Sequence, residues 1–109
     1  MVILHARLVV KPAARERWLD LVAALTPPSR DEDACQSYDL YEAVDTPNTF
    51  IFVEQWDSLE GLYAHFHTPH FGEFGAALGE VLTEAPVGTV ALVSSTMSLD
   101  EAFVAAGIA

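Results

Sequence analysis

The chain has 109 residues, 51% of them apolar, with 16 acidic side chains against 5 basic ones and a formal charge of −11. One domain with a real core is expected, and a strongly acidic balance without a Lys/Arg cluster argues against nucleic acid and anionic membrane surfaces as partners. The lone Cys35 rules out an intrachain disulfide framework and suits a reducing cytoplasm, and no apolar run has the length or flanks of a membrane span or secretory leader.

Residues 2–10, VILHARLVV, read as a strand with Val2, Leu4, Ala6, Leu8 and Val10 on one apolar face and Ile3, His5, Arg7 and Val9 on a more polar one. Pro12 opens a helix to about Leu25, in which Ala14, Trp18, Leu21, Val22 and Leu25 form one stripe. Thr26-Pro27-Pro28 is expected to stop it, leaving residues 29–33 as a solvated loop whose acids Asp31, Glu32 and Asp33 are an exposed charge run. Strands over 34–44 and 49–56, joined by turn residues 45–48, predict a hairpin with Phe50, Phe52, Glu54 and Trp56 on a shared face. Asp57 and Glu60 have the spacing of a capping box ahead of a short helix carrying Leu59, Leu62, Tyr63 and Phe66. Thr68-Pro69 starts a further helix to about Leu82, with Phe71, Phe74, Leu78, Val81 and Leu82 on its buried side. Residues 85–95 form the last strand, and Ser98–Glu101 can cap a short terminal helix.

This order is the α+β, ferredoxin-like βαββαβ arrangement, a four-stranded antiparallel sheet with helices on one face. Residues 1–97 make the domain and 98–109 a tail able to form a short helix. A chain this small cannot cover both faces of its sheet, and the second face is partly apolar, so a homodimer packed sheet to sheet is expected.

The stretch YAHFHTPHF, residues 63–71, holds three of the four histidines. His65 and His67 lie two apart on a helix and point about 160° apart, and His70 lies beyond the Thr68-Pro69 break, so no metal site is expected. His65 reads either as a half-buried structural histidine or as a neutral imidazole able to take a proton from a weakly acidic hydroxyl. Trp56 reads either as core filler or as an aromatic wall for a flat ligand with a free indole N–H. His5 can face the same cavity or the dimer interface.

The segment FIFVEQWDSLEGLYAHFHTPHF, residues 50–71, with its E-x-W at a strand end, its Ala-His pair and its T-P-H-F, resembles the antibiotic biosynthesis monooxygenase family, in the branch of the quinol monooxygenases. ACQSYDLYE (34–42) and HARLVVKP (5–12) resemble the family's earlier strands. The resemblance implies a dimeric α/β barrel that oxidises a quinol or polycyclic phenol with O₂ as co-substrate and no metal, flavin or haem. It implies His65 and Trp56 as the catalytic pair, with Phe52, Tyr63, Phe66, Phe74 and His5 around the substrate. Two alternatives stand beside it: a small-aromatic-binding dimer without catalysis, and an isomerase of a small carbonyl compound. Phe52 stands where some tailoring members carry Asn, and HARL lacks the Asn of haem-degrading relatives.

Overall fold

A computed structural model describes residues 1–108; of the terminal tail, Ala109 lies outside the described residues. Four strands form one antiparallel sheet in the order β2-β3-β1-β4: β1 (Val2–Val9), β2 (Cys35–Glu42), β3 (Thr49–Trp56) and β4 (Val87–Leu92). Between them run α1 (Arg15–Arg30), α2 (Leu59–Phe66) and α3 (Pro69–Val81), and α4 (Leu99–Ala105) ends the chain. This is the βαββαβ order expected from the pattern. Phe50, Phe52, Glu54 and Trp56 are all buried beneath the helices with Val2 and Leu8 of β1. The ring of Trp18 on α1 packs between Phe50 and Phe74, with centroids 5.4 and 5.7 Å away, which ties sheet to both long helices. Asn48, the one non-glycine residue of positive φ (62°) among those described, closes the β2–β3 hairpin, as its short side chain allows.

The first helix does not stop at Leu25. It runs through Pro27 and Pro28 to Arg30, although an interior proline removes a hydrogen bond and typically costs about 3 kcal/mol. The prolines free the Ala23 and Ala24 carbonyls, and hydroxyls bond the neighbouring ones on either side: Thr26 Oγ1 donates to the Val22 carbonyl and Ser29 Oγ to the Leu25 carbonyl, each at 2.8 Å. Tertiary contacts hold the last turn. Ser29 is fully buried, and the Arg30 guanidinium donates to the Tyr38 carbonyl and to Asp39 at 3.0 Å. The expected loop over 29–33 therefore begins two residues later than its composition indicates.

A second correction concerns α2. Ser58, not Asp57, caps it, accepting the Gly61 N–H at 3.0 Å, while Asp57 accepts from the Gln36 amide instead. Thr68 caps α3 as expected. Its hydroxyl donates to the His65 carbonyl at 2.7 Å and accepts the Phe71 N–H, which pins the bend between the two helices. Ser98 and Glu101 form the terminal capping box.

Gly61 lies where α2 crosses the end of the α1–β2 connection, and a Cβ there would overlap the Ala34 Cβ. Gly61→Ala is therefore expected to lower the unfolding free energy by about 1–3 kcal/mol, and Gly61→Ala combined with Ala34→Gly to recover most of it. Urea unfolding of the three proteins checks this; equal losses in the single and double variants would mean that the contact is not the cause.

Candidate active site

The site is built at the junction of three local structures: the turn after α1, the end of β3 and the α2–α3 bend. The bend brings His70 back to His65, with ring centroids 5.9 Å apart. The turn after α1 puts Glu32 between them. Its Oε2 lies 2.6 Å from His65 Nδ1 and 2.8 Å from His70 Nε2. A carboxylate oxygen accepts, so both imidazoles present N–H to it. His65 is fully buried, and its Nε2 has no hydrogen-bond partner among the described residues. With the proton held at Nδ1, that buried nitrogen carries a lone pair, which is a base without a partner. Burial lowers the His65 pKa below the usual histidine range, and the Glu32 hydrogen bond only partly counters this, so the imidazole is neutral at pH 7.

Aromatic rings surround His65: Trp56 at 4.7 Å between centroids, Phe71 at 5.0 Å, Tyr38 at 5.4 Å and Phe66 at 6.0 Å. On the other side of three of these rings is a cavity of about 180 Å³ between the inner face of the sheet and α3. Phe52, Phe66, Phe71 and Phe74 wall it, aliphatic side chains of β1 with Leu78 and Pro86 close the rest, and Tyr38 and Glu54 are its polar residues. Burial pushes the Glu54 carboxyl up to about 7, partly opposed by the Trp56 Nε1–H, which donates to Glu54 Oε1 at 3.0 Å. Burial also raises the Tyr38 phenol, with the Glu54 charge adding to the effect. The cavity thus carries a carboxyl that changes charge near neutral pH. A larger surface hollow, about 290 Å³ at the α3–β4 connection, adjoins the cavity through Leu78 and Pro86, which line both, and has Glu84 as its only charged lining residue.

Of the expected site residues, Phe52, Phe66 and Phe74 line the cavity. Trp56 does not: it is fully buried behind the cavity wall, and its N–H, expected to be free, is committed to Glu54. His65 likewise sits behind the wall rather than in it. Tyr63 is corrected outright. It is 52% exposed on the outer side of α2, because the inward side of that short helix is taken by Leu62 and His65. His5 is corrected too. Leu4 and Ala6 line the cavity, so strand alternation sends His5 to the opposite face of the sheet. Four residues of the site went unassigned in the sequence reading. Glu54 and Phe71 lie within the E-x-W and T-P-H-F motifs but have no role assigned there, Tyr38 is a β2 residue with no face assigned to it, and Glu32 lies in what reads as a solvated charge run.

Among the described residues, Glu32, His65 and His70 are the group whose possible ligand atoms converge, all within 4.8 Å of one another. The Thr68-Pro69 break, expected to set His70 apart from His65, is instead the bend that carries it back to His65. The two contacts to Glu32 are nevertheless hydrogen-bond lengths, shorter than the roughly 3.3 Å between donors arranged tetrahedrally around a zinc-sized ion. As arranged here, the trio is a hydrogen-bonded unit.

Comparison with known proteins fits this geometry. The sequence profile of the antibiotic biosynthesis monooxygenase family matches residues 1–77. The chain belongs to that family. "Putative monooxygenase YcnE" of Bacillus subtilis is 38% identical over 90 residues, 83% of this chain and 94% of that protein. "Probable quinol monooxygenase YgiN" of Escherichia coli K12 is 32% identical over 62% of this chain and 74% of that protein. The solved structure of Rv0793 from Mycobacterium tuberculosis superposes with a TM-score of 0.83 at 35% identity, covering 89% of this chain and 98% of that one. The ferredoxin-like antibiotic biosynthesis monooxygenase fold is thus the fold of this protein, and α4 lies beyond the part that the family profile matches.

For this family member, Glu54 has a measurable signature. Its folded pKa of about 7 stands above the ordinary 4.5, so the folded state holds the extra proton between those values. Stability from this residue is fully present below about pH 4.5 and is lost as pH rises through about 7, by on the order of 3 kcal/mol. In Glu54→Gln that decline between pH 5 and 8 is expected to flatten. Urea unfolding at a series of pH values checks it, and an unchanged slope in the variant would assign the decline to another group.

Proposed function

We propose that the protein is a cofactor-independent monooxygenase that oxidises a small quinol or phenol with O₂ in the Phe-walled cavity, with His65 as the base. The observation that carries this reading is the buried Nε2 of His65, a base with no partner among the described residues, on a ring packed against Tyr38, Phe66 and Phe71 of the wall of an apolar cavity. The reaction asks little more of the protein. An electron-rich phenolate can itself reduce O₂, so binding a flat ring, favouring its anion and excluding water suffice. A quinol with a free ring position can give four electrons to O₂. One oxygen enters the ring to leave a hydroxyquinone, and the other departs as water, so no external reductant is needed. His65 Nε2 takes the hydroxyl proton at the start and returns it to the reduced oxygen at the end. The wall of Tyr38, Phe66 and Phe71 separates Nε2 from the cavity, so a bound ring reaches it by displacing part of that wall; Phe66, exposed at 36%, is the least confined. The monooxygenase names of the relatives support the reaction class. A cavity of about 180 Å³ is smaller than the sites of drug-sized ligands, which favours one or two rings over a larger polycycle.

The same proposal includes a cytoplasmic homodimer through the outer face of the sheet. Ile3, Ile51 and Val53 on that face are only partly covered, and Val87 of β4, which pairs with Arg7 on the same face, is more exposed still at 67%. The radius of gyration, 15.8 Å, exceeds the roughly 13 Å of a compact chain of this length, as expected of an outline that a second copy completes. No helix among the described residues is long and apolar enough to cross a membrane.

Two outcomes are expected. With a reduced naphthoquinol under air, the protein consumes O₂ above background, and His65→Ala lowers the rate about a hundredfold or more. The wild-type rate falls on acidification only below the ordinary histidine range, because His65 must be neutral to act. Tight binding of the quinol without turnover would instead favour the non-catalytic reading. In sedimentation the protein is expected to run as a dimer and Val53→Lys as a monomer; a wild-type monomer would remove the sheet-to-sheet interface.

A further inference from the structure

The acid run after α1 supplies a residue that sequence reading leaves without a role. We propose that Glu32 is the positioning residue of the site, holding His65 in the Nδ1–H tautomer so that the lone pair sits on Nε2. This rests on the assignment of His65 Nε2 as the base and deepens it, by naming the residue that keeps the proton on Nδ1.

The argument is one of donors and acceptors. A neutral imidazole has one N–H and one lone pair, and its surroundings choose between two tautomers. At Nδ1, 2.6 Å away, is the Glu32 carboxylate, which can only accept. At Nε2 no group among the described residues competes. Any tautomer with the proton on Nε2 would face two lone pairs across 2.6 Å and would leave a buried N–H unbonded as well. Both penalties fall on the same tautomer, so the base nitrogen is Nε2.

Glu32 is itself held for this task. Its Oε2 also accepts from His70 Nε2 at 2.8 Å. Its backbone N–H donates to the Ser29 carbonyl and its carbonyl accepts the Cys35 N–H, which fixes the turn at both ends. The side chain is largely covered, at 16% exposure, so water competes weakly for the carboxylate. When His65 takes a proton at Nε2, the resulting imidazolium lies against this carboxylate, which stabilises it through a charge-assisted bond. The proton remains on His65 until it is returned to the reduced oxygen, and neither Glu32 nor His70 has to carry it. The other titratable groups facing His65 are His70 from α3, Tyr38 from β2, and Glu54 from β3 behind the Trp56 ring. Cys35 on β2 feels the same Glu32 charge.

The experiment is a long-range ¹H–¹⁵N spectrum of the histidine rings in the full chain, for wild type, Glu32→Leu and Glu32→Gln, with steady-state oxidation of a naphthoquinol alongside. In wild type, His65 is expected to show a protonated Nδ1 and an unprotonated Nε2. In Glu32→Leu, which offers no acceptor to Nδ1, the Nε2–H form should appear, and in Glu32→Gln a mixture, because the amide can both accept from and donate to Nδ1. The kcat of Glu32→Gln should fall about a hundredfold with KM little changed, and Glu32→Asp should restore part of it. An Nε2–H tautomer in wild type would overturn the proposal at once, without any variant. So would a Glu32→Leu protein, which leaves no acceptor at Nδ1, that keeps the wild-type tautomer. The tautomer is read without substrate, so if naphthoquinol proves not to be turned over, the spectrum still decides the role of Glu32 while the reaction class falls separately.

Discussion

An imidazole buried in a 109-residue protein needs a partner for each ring nitrogen, and His65 has one for only one of them. That asymmetry organises the region around it. Glu32 answers Nδ1, His70 shares the same carboxylate oxygen, and Thr68 ties the carbonyl of His65 to the start of the next helix. Each of these groups comes from a different local structure, so the arrangement forms only when α1, α2 and α3 are all in place. The unpartnered Nε2 is where the stability of the cluster is left incomplete, and incomplete polar satisfaction in an apolar setting is what a site for a hydroxyl-bearing ring would show.

The reach of α1 is what makes this possible. Residues 26–30 as a helix advance about 7.5 Å, whereas the same five residues extended would run about 16 Å. With the helix carried through Pro27 and Pro28, the next turn falls under the α2–α3 bend, and Glu32 meets the histidines. The double proline is tolerated because Ser29 and Arg30 bury or bond the last turn against β2. A local penalty is therefore offset by tertiary contacts, and the gain is the placement of one carboxylate.

This explains which parts could be read from the sequence. β3 was legible to the residue, since TFIFVEQW alternates cleanly and turn residues bound it. The start of α3 was legible from Thr68-Pro69 and that of α4 from Ser98 and Glu101, because caps are short-range chemistry. Phe52, Phe66 and Phe74 reach the cavity because they lie on apolar stripes, and a stripe faces the core wherever the core is. The errors fall where tertiary structure decides. A helix through two prolines, a cap at Ser58 instead of Asp57, and Glu32 between two histidines all depend on contacts 8 to 38 residues apart in the chain. Tyr63 failed for a different reason. On an eight-residue helix one apolar stripe is too wide to face inward as a whole, and the fully buried side belongs to Leu62 and His65.

Charge is the remaining difficulty for a phenolate in a protein of net charge −11. An anion entering a cavity beside a second anion would be unwelcome, and the site avoids this in two ways. In the proposed reaction the proton leaving the ring would stay on His65, so the phenolate would form next to an imidazolium and the pair would be neutral. The imidazolium in turn lies on Glu32, which is separated from the cavity by the His65 ring and its aromatic neighbours. The carboxyl that does line the cavity, Glu54, is the one that burial brings to about 7. A nearby phenolate would raise it further, since like charges resist ionising together. Glu54 therefore tends to keep its proton when the ring gives one up. The wall of the cavity then holds a neutral carboxylic acid and the base behind the wall holds the charge, so two glutamates of the same chemistry are separated in role by where the fold buries them.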